Sequence, residues 1–244
     1  MVKIKSKLSI VTACYNEEKN IKKILTKWIN YFKRQAKFDK FEIVITDDGS
    51  TDQTVRAIKE LKKKNKEIKL FEFKKNRGAS AAFTNSVKKS KYEYILVNDS
   101  DGQFPIQNFN SLWKELSLKN KDAVIGARNR LKEFTFLSLG SLISGKIMSF
   151  IYQSKIKDFN CAFKLIKSNI IKKNKLEAIG MNYSTEMTAK IIDCGSNISS
   201  VNITHNKNKK KKKYKIILED SINRMLFVMY LIFRRLLMKL NIIS

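Results

Sequence analysis

The sequence predicts an α/β fold with a parallel sheet, and three observations carry that prediction. Short apolar runs rich in Val, Ile and Phe recur through the first half of the chain. Segments with helical spacing alternate with them, and polar turns, most of them holding a glycine, close the runs. At 244 residues and 43% hydrophobic, the chain is long enough for one substantial core, or a core plus a small appendage.

Taken in order, Leu8–Ala13 (LSIVTA) reads as the first strand. Asn16 reads as a helix N-cap, with Glu17 and Glu18 in the first turn, where carboxylates suit the macrodipole. Ile21, Ile24, Leu25, Trp28 and Ile29 continue at helical spacing. Phe41–Thr46 (FEIVIT) is a second strand, followed by a helix over Thr51–Lys64. Ile68–Phe73 is a third, with a helix over Gly78–Lys89; Tyr92–Val97 is a fourth and Ala123–Gly126 a fifth.

In such sheets ligands bind outside the carboxyl ends of the strands. Those ends carry Cys14-Tyr-Asn-Glu17, Asp47-Asp-Gly-Ser-Thr-Asp52, Asn76-Arg-Gly78, Asp99-Ser-Asp-Gly102 and Ala127-Arg128. Asp99 and Asp101 by themselves suit a surface turn or a helix cap as well as a cation site. Two carboxylates at i and i+2 reach one ion only if the backbone leaves the extended form. Their hard oxygens suit Mg²⁺ or Mn²⁺, which bridge to substrate phosphates. In the second motif Gly49, Ser50 and Thr51 are explained by a turn and a cap, but two adjacent acids at a strand end are not. Acidic motifs on neighbouring strands call for cations or hydrogen-bond donors between them.

Bulk properties narrow the alternatives. Three widely spaced cysteines, with no CxxC pair and a single histidine, His205, support neither a disulfide framework nor a structural zinc, and fit a reducing cytosolic setting. The N-terminal apolar run is too short for a signal peptide, and no eighteen uncharged apolar residues stand in a row. The net charge of +28 has three competing readings: compositional bias toward Lys, Asn and Ile, an anionic membrane or ligand, and nucleic acid. Nucleic acid is the weakest, since no helix-turn-helix, RNP-like or zinc-finger pattern is present.

Together the motifs Tyr15-Asn-Glu17, Asp47-Asp-Gly-Ser-Thr-Asp52, Asn76-Arg-Gly78, Asp99-Ser-Asp-Gly-Gln103 and Gly126-Ala-Arg128 resemble glycosyltransferase family 2, in its dolichyl- or polyprenyl-phosphate sugar synthase branch. They fall in the family's order over roughly residues 8–205. The resemblance implies a GT-A type, Rossmann-like mixed, mostly parallel sheet flanked by helices. It also implies a GDP- or UDP-linked sugar donor and a divalent metal, Mg²⁺ or Mn²⁺. Ala13, Tyr15, Glu17, Asp47, Asp48, Asn76 and Asp99 then match nucleotide-sugar positions, and Asp99, Asp101 and Gln103 the metal segment. The family's usual proline is absent from Thr12-Ala-Cys-Tyr-Asn-Glu17, and no lysine follows Gly78.

Asp158-Phe-Asn-Cys-Ala-Phe-Lys164 resembles the synthases' D-x-x-x-G-F-[KR] segment, with Ala162 where glycine is usual. It puts Asp158 near the acceptor, as a base or as the partner of a cation. Glu186 matches an acidic family position or simply begins a helix. Candidates for an acceptor phosphate are Arg128, Arg130, Lys132 and the basic run containing Lys207, although consecutive lysines are usually a solvated face. A polyprenyl phosphate needs positioning cations; a glycan hydroxyl, the rival acceptor, needs a carboxylate base. A noncatalytic basic membrane- or RNA-binding protein on a degenerate scaffold is the rival from another class.

The expected organisation is a catalytic domain over 1–205, a basic loop over 206–213 and a C-terminal amphipathic helix over 214–244. On that helix Ile222, Met225, Met229, Ile232, Leu236 and Leu240 form an apolar face, and Arg224, Arg234, Arg235 and Lys239 a basic one. This pattern suits an anionic membrane interface. Phe134–Gly145 is a second uncharged stretch, too short to span. The expectation is peripheral association with the cytoplasmic face of a membrane, through this surface or a separate integral membrane partner.

Overall fold

The structure, a computed structural model, describes residues 6–129, 136–172, 177, 182–206, 214–240 and 242. Its centre is a seven-stranded sheet in the order β3-β2-β1-β4-β6-β5-β7. The first four strands are β1 (Ser6–Cys14), β2 (Phe38–Asp47), β3 (Ile68–Glu72) and β4 (Tyr94–Val97). They pair in parallel, as the alternation of apolar runs and helices requires. Leu8, Ile10, Ile43, Ile45, Ile95 and Leu96 are fully buried, the near-continuous apolar pattern of strands covered on both faces.

The second half of the sheet was less visible in the sequence. β5 (Ala123–Arg128) pairs in parallel with β7 (Ile198–Ile203). β6 (Lys164–Lys167) lies antiparallel between β4 and β5, which makes the sheet mixed, as the family resemblance implied. The glycine at 126 suits a tight interior: a Cβ there would stand 2.4 Å from the Ile203 side chain.

Helices α1 (Ile21–Lys33), α2 (Thr54–Lys64), α3 (Ala79–Lys89), α4 (Phe109–Leu118), α5 (Phe136–Ile151), α6 (Ser168–Lys172), α7 (Tyr183–Asp193) and α8 (Tyr214–Lys239) complete the chain. α1 begins at Ile21, later than expected. Asn16 is not its N-cap but a left-handed residue, φ 51°, whose Oδ1 accepts the Thr51 N–H at 2.9 Å. Its own N–H donates to Ser50 Oγ at 3.0 Å, so the loops after β1 and β2 brace each other.

α8 is docked on the domain. Val228 and Leu231 join Met148 of α5, Tyr152 and Phe159 of the segment that follows it, and Ala189 of α7 in a second, smaller core. Asp193 receives Arg234 Nη1 at 2.6 Å and Arg235 Nη1 at 2.7 Å. The sequence pattern set both arginines on the basic face expected to meet anionic lipid. The structure turns them inward, because Asp193 is otherwise a buried carboxylate without a cation. Ile232 also packs partly against this core, while Ile222, Met225, Met229, Leu236 and Leu240 stay exposed.

Candidate active site

Four parallel strands end on one edge, and their loops form the candidate site. At the end of β2, Asp47 and Asp48 are both buried. Asp47 accepts the Ser50 N–H at 2.8 Å and the Ser50 hydroxyl, so this carboxylate closes its own turn around Gly49, φ 74°. Asp48 accepts the Arg77 N–H at 2.7 Å, which ties the loop after β3 to the end of β2. Burial raises the Asp48 pKa, against the N–H groups of Arg77 and Gly78 that lower it. Tyr15 is 45% exposed at the rim, Glu17 half-buried, and Asn76 exposed with its Oδ1 accepting the Gly78 N–H at 3.2 Å. The carbonyl of Ala13 accepts the Ser100 hydroxyl at 2.7 Å, linking the first loop to the one after β4.

That loop carries the second pair of acids. Asp99 accepts a hydrogen bond from the Tyr183 hydroxyl, whose ring stacks on Phe83 at 4.2 Å. Asp101 accepts the Gln103 backbone N–H at 2.9 Å and the Gln103 side-chain amide. Gln103 Oε1 in turn faces His205 Nε2 at 2.9 Å, and Gln103 O accepts the Asn206 N–H at 2.8 Å. The segment after β7 is thus fastened to the loop after β4, and His205 belongs to the site. Burial, then the neighbouring charge of Asp101, pushes the Asp99 carboxyl up to about 7.

A divalent cation is tested by this donor set. Among the described residues no three of His, Cys, Asp and Glu converge tightly enough to hold an ion alone. Two carboxylates whose charges oppose each other do fit a Mg²⁺ or Mn²⁺ that keeps waters and completes its shell with phosphate oxygens. Asp99, Asp101 and the amide oxygen of Gln103 would hold it.

On the other side, Arg128 grips Asp158 through Nε at 2.6 Å and Nη2 at 3.1 Å, and its backbone N–H adds a third contact at 3.3 Å. Burial works to lower the Arg128 pKa, but the Asp158 charge outweighs it and holds the guanidinium ionised. Both Asp158 oxygens are taken, so it serves as the partner of a cation here. Lys164 lies beneath, fully buried, with Nζ donating to Cys161 O and to Ser184 Oγ at 3.0 Å. Burial lowers its pKa to about 8, while Asp158 and Asp99 favour the charged form. Glu186 is an internal brace: it pairs with Lys190 at 2.9 Å and accepts the N–H of Glu177. Arg130, Lys132 and Lys207 lie outside the described residues.

Sequence reasoning missed Tyr183 and Lys164 as site residues, and read His205, at the head of the basic run, as structural. Only Lys164 carried a signal, as the basic end of the Asp158–Lys164 segment. Tyr183 reaches Asp99 from 84 residues away and His205 reaches Gln103 from 102, by folding alone.

The architecture is that of GT-A proteins. Glucosyl-3-phosphoglycerate synthase from Mycobacterium tuberculosis superposes with a TM-score of 0.70 at 14% identity, over 93% of this chain and 80% of that one. A structure of the same enzyme with Mn²⁺ and UDP-glucose gives 0.66 at 16% identity, over 91% and 79%. Residues 9–179 match the model of glycosyl transferase family 2, and the chain belongs to that family. Among curated relatives, a dolichyl-phosphate beta-glucosyltransferase of Trichomonas vaginalis is 33% identical over 173 residues, 65% of this chain and 52% of its own length. The dodecaprenyl-phosphate galacturonate synthase of Rhizobium johnstonii is 26% identical over 204 residues, 81% of this chain and 58% of its own. The chain therefore spans little more than half the length of these two relatives.

Proposed function

We propose that the chain is an inverting, metal-dependent glycosyltransferase that moves a sugar from a GDP- or UDP-linked donor to a polyprenyl phosphate. Family membership and the names of the relatives support the class. The observation that carries the acceptor is the Arg128–Asp158 pair: Asp158, the acid the resemblance sets near the acceptor, has both oxygens committed to a guanidinium. A hydroxyl acceptor needs a carboxylate free to take its proton. A phosphate is already an anion, and the Arg128–Asp158 pair with Lys164 beneath it supplies a positioned, cation-bearing wall.

In this reading Tyr15, Glu17, Asp48 and Asn76 hold the nucleoside across the ends of β1, β2 and β3. Asp99, Asp101 and Gln103 would hold the divalent ion, which when bound would offset the charge building on the leaving group. A phosphate oxygen of the acceptor attacks the anomeric carbon from the face opposite the diphosphate. The bond from that carbon to the β-phosphate oxygen breaks, and its electron pair leaves with the nucleoside diphosphate. No proton has to be removed from the nucleophile. Because the acceptor is a lipid, the reaction belongs at a membrane surface, on the cytoplasmic face where the donor is supplied.

The test is a metal-dependent assay with a panel of labelled sugar nucleotides and polyprenyl phosphate. Label in a mild-acid-labile lipid product is the expected result. Label only on a glycan hydroxyl would refute the acceptor, and no turnover by folded protein across the panel would refute the enzyme.

A further inference from the structure

A cavity of about 720 Å³ lies between α1 and the chain from Asp101 to Gln107. Its two walls meet closely: a Cβ on Gly102 would stand 3.3 Å from Ile24 Cδ1. Buried Ile24, Trp28 and Ile106 give the lining an apolar part. Its charged residues are Asp101 and three exposed cations, Lys23, Lys27 and Arg34. Asp101 already accepts the backbone N–H and the side-chain amide of Gln103. The three cations have no ion pair among the described residues, whereas Lys33 on the same helix meets Glu67 at 3.7 Å.

Lys23 and Lys27, four residues apart, are neighbours on one helix face, where like charges oppose each other. A net charge of +28 accounts for lysines in excess, but not for three cations gathered along an apolar-lined hollow of small-molecule size. A phosphate between Lys23 and Lys27 offsets their repulsion through charge-assisted hydrogen bonds. We propose that this cavity binds a water-soluble phosphorylated organic anion. The phosphate sits on Lys23 and Lys27, and the apolar body lies against Ile24, Trp28 and Ile106. Arg34, seven residues and about 10 Å beyond Lys27, takes a second acceptor group of the ligand. None of Tyr15, Asp48, Asn76, Arg128 and Asp158 lines the cavity, so it is distinct from the nucleoside positions and from the acceptor wall. Only the Asp101–Gln103 loop is shared with the candidate metal segment, and the binding does not depend on the transfer reaction proposed above.

The chain has two tryptophans, so Trp113→Phe leaves Trp28, in the cavity wall, as the sole reporter. The test titrates this full-length variant, stripped of metal, with phenyl phosphate and with inorganic phosphate and follows tryptophan fluorescence. Without metal the acids after β2 and β4 stay uncompensated and repel the probe. A saturable change is expected, with phenyl phosphate about ten-fold tighter through the area its ring buries. At about five-fold per exposed cation, Lys23→Ala with Lys27→Ala should weaken binding about 25-fold. Lys88→Ala with Lys91→Ala is the same charge change at the end of α3, which packs against α6 and α7; it should weaken binding about two-fold or less. No saturable change, equal affinity for the two phosphates, or equal losses for the two lysine pairs would each overturn the proposal.

Discussion

Arg128→Leu is the perturbation that most directly probes the acceptor wall. The Asp158 side chain is 7% exposed and the Arg128 side chain 18%, so the change leaves a carboxylate buried without its guanidinium. Breaking one side of such a pair costs about 3–5 kcal/mol. For a domain of this size about 2–4 °C follows each kcal/mol, so the melting point should fall by about 6–20 °C. Asp158→Asn removes the charge but keeps the shape and some hydrogen bonding. With Arg128→Leu it should cost far less than the sum of the two singles, with a coupling of about 2 kcal/mol or more. Urea denaturation of the four proteins, followed by circular dichroism and tryptophan fluorescence, measures the cycle, and coincident transitions license it. Single effects that add to within about 0.5 kcal/mol would refute a working ion pair. Turnover gives a second reading. A general base at Asp158 would lose about 100- to 10,000-fold in kcat on becoming Asn; a cation partner should show its loss first in the KM for the acceptor.

Three further outcomes follow from the donor side. Gly49→Ala puts a Cβ 2.6 Å from the Lys75 carbonyl carbon at φ 74°, which should cost about 2–5 kcal/mol in urea and weaken donor binding by shifting the loop that holds Asp48; Gly195→Ala, at φ 68° with nothing within 4 Å, should cost only about 1–2 kcal/mol. Asp101→Asn should abolish turnover and weaken Mn²⁺ binding in calorimetry with the fold unchanged by circular dichroism, and wild-type turnover there would remove the metal role. Because the Asp99 carboxyl sits at about 7, metal-free protein should bind Mn²⁺ up to ten-fold more weakly for each pH unit below that value. The same raised pKa means that ionised Asp99 opposes folding: the stability that the protonated carboxyl contributes is fully present below the ordinary carboxylate range and is lost as pH rises through 7. Stability of the metal-free chain should thus decline from pH 5 to 8, measured by urea midpoints, and Mn²⁺ should restore it.

How much of this was legible follows from which interactions are local. β1 to β5 and their turns were readable because buried parallel strands are apolar runs and their loops punctuate them with Gly, Asn and Asp. β6 and β7 were not. Lys164-Leu-Ile-Lys167 has a lysine at each end, and Ile198–Ile203 is a mostly half-exposed edge strand with two serines and an asparagine. The acids of the site were visible as motifs; what each does was not. Nothing local says that Asp158 is clasped by Arg128, or that Asn16 braces a loop 35 residues on. The pairing of β6 explains why. Its antiparallel register sets Lys164 opposite Val97, two residues before Asp99, and opposite Ile125 of β5, three before Arg128. One buried cation therefore sits under both halves of the site, and a lysine is tolerated in the sheet because acids on either side compensate it. A residue at a strand end becomes, through one non-local pairing, the charge that the Asp99 loop and the Arg128–Asp158 pair share.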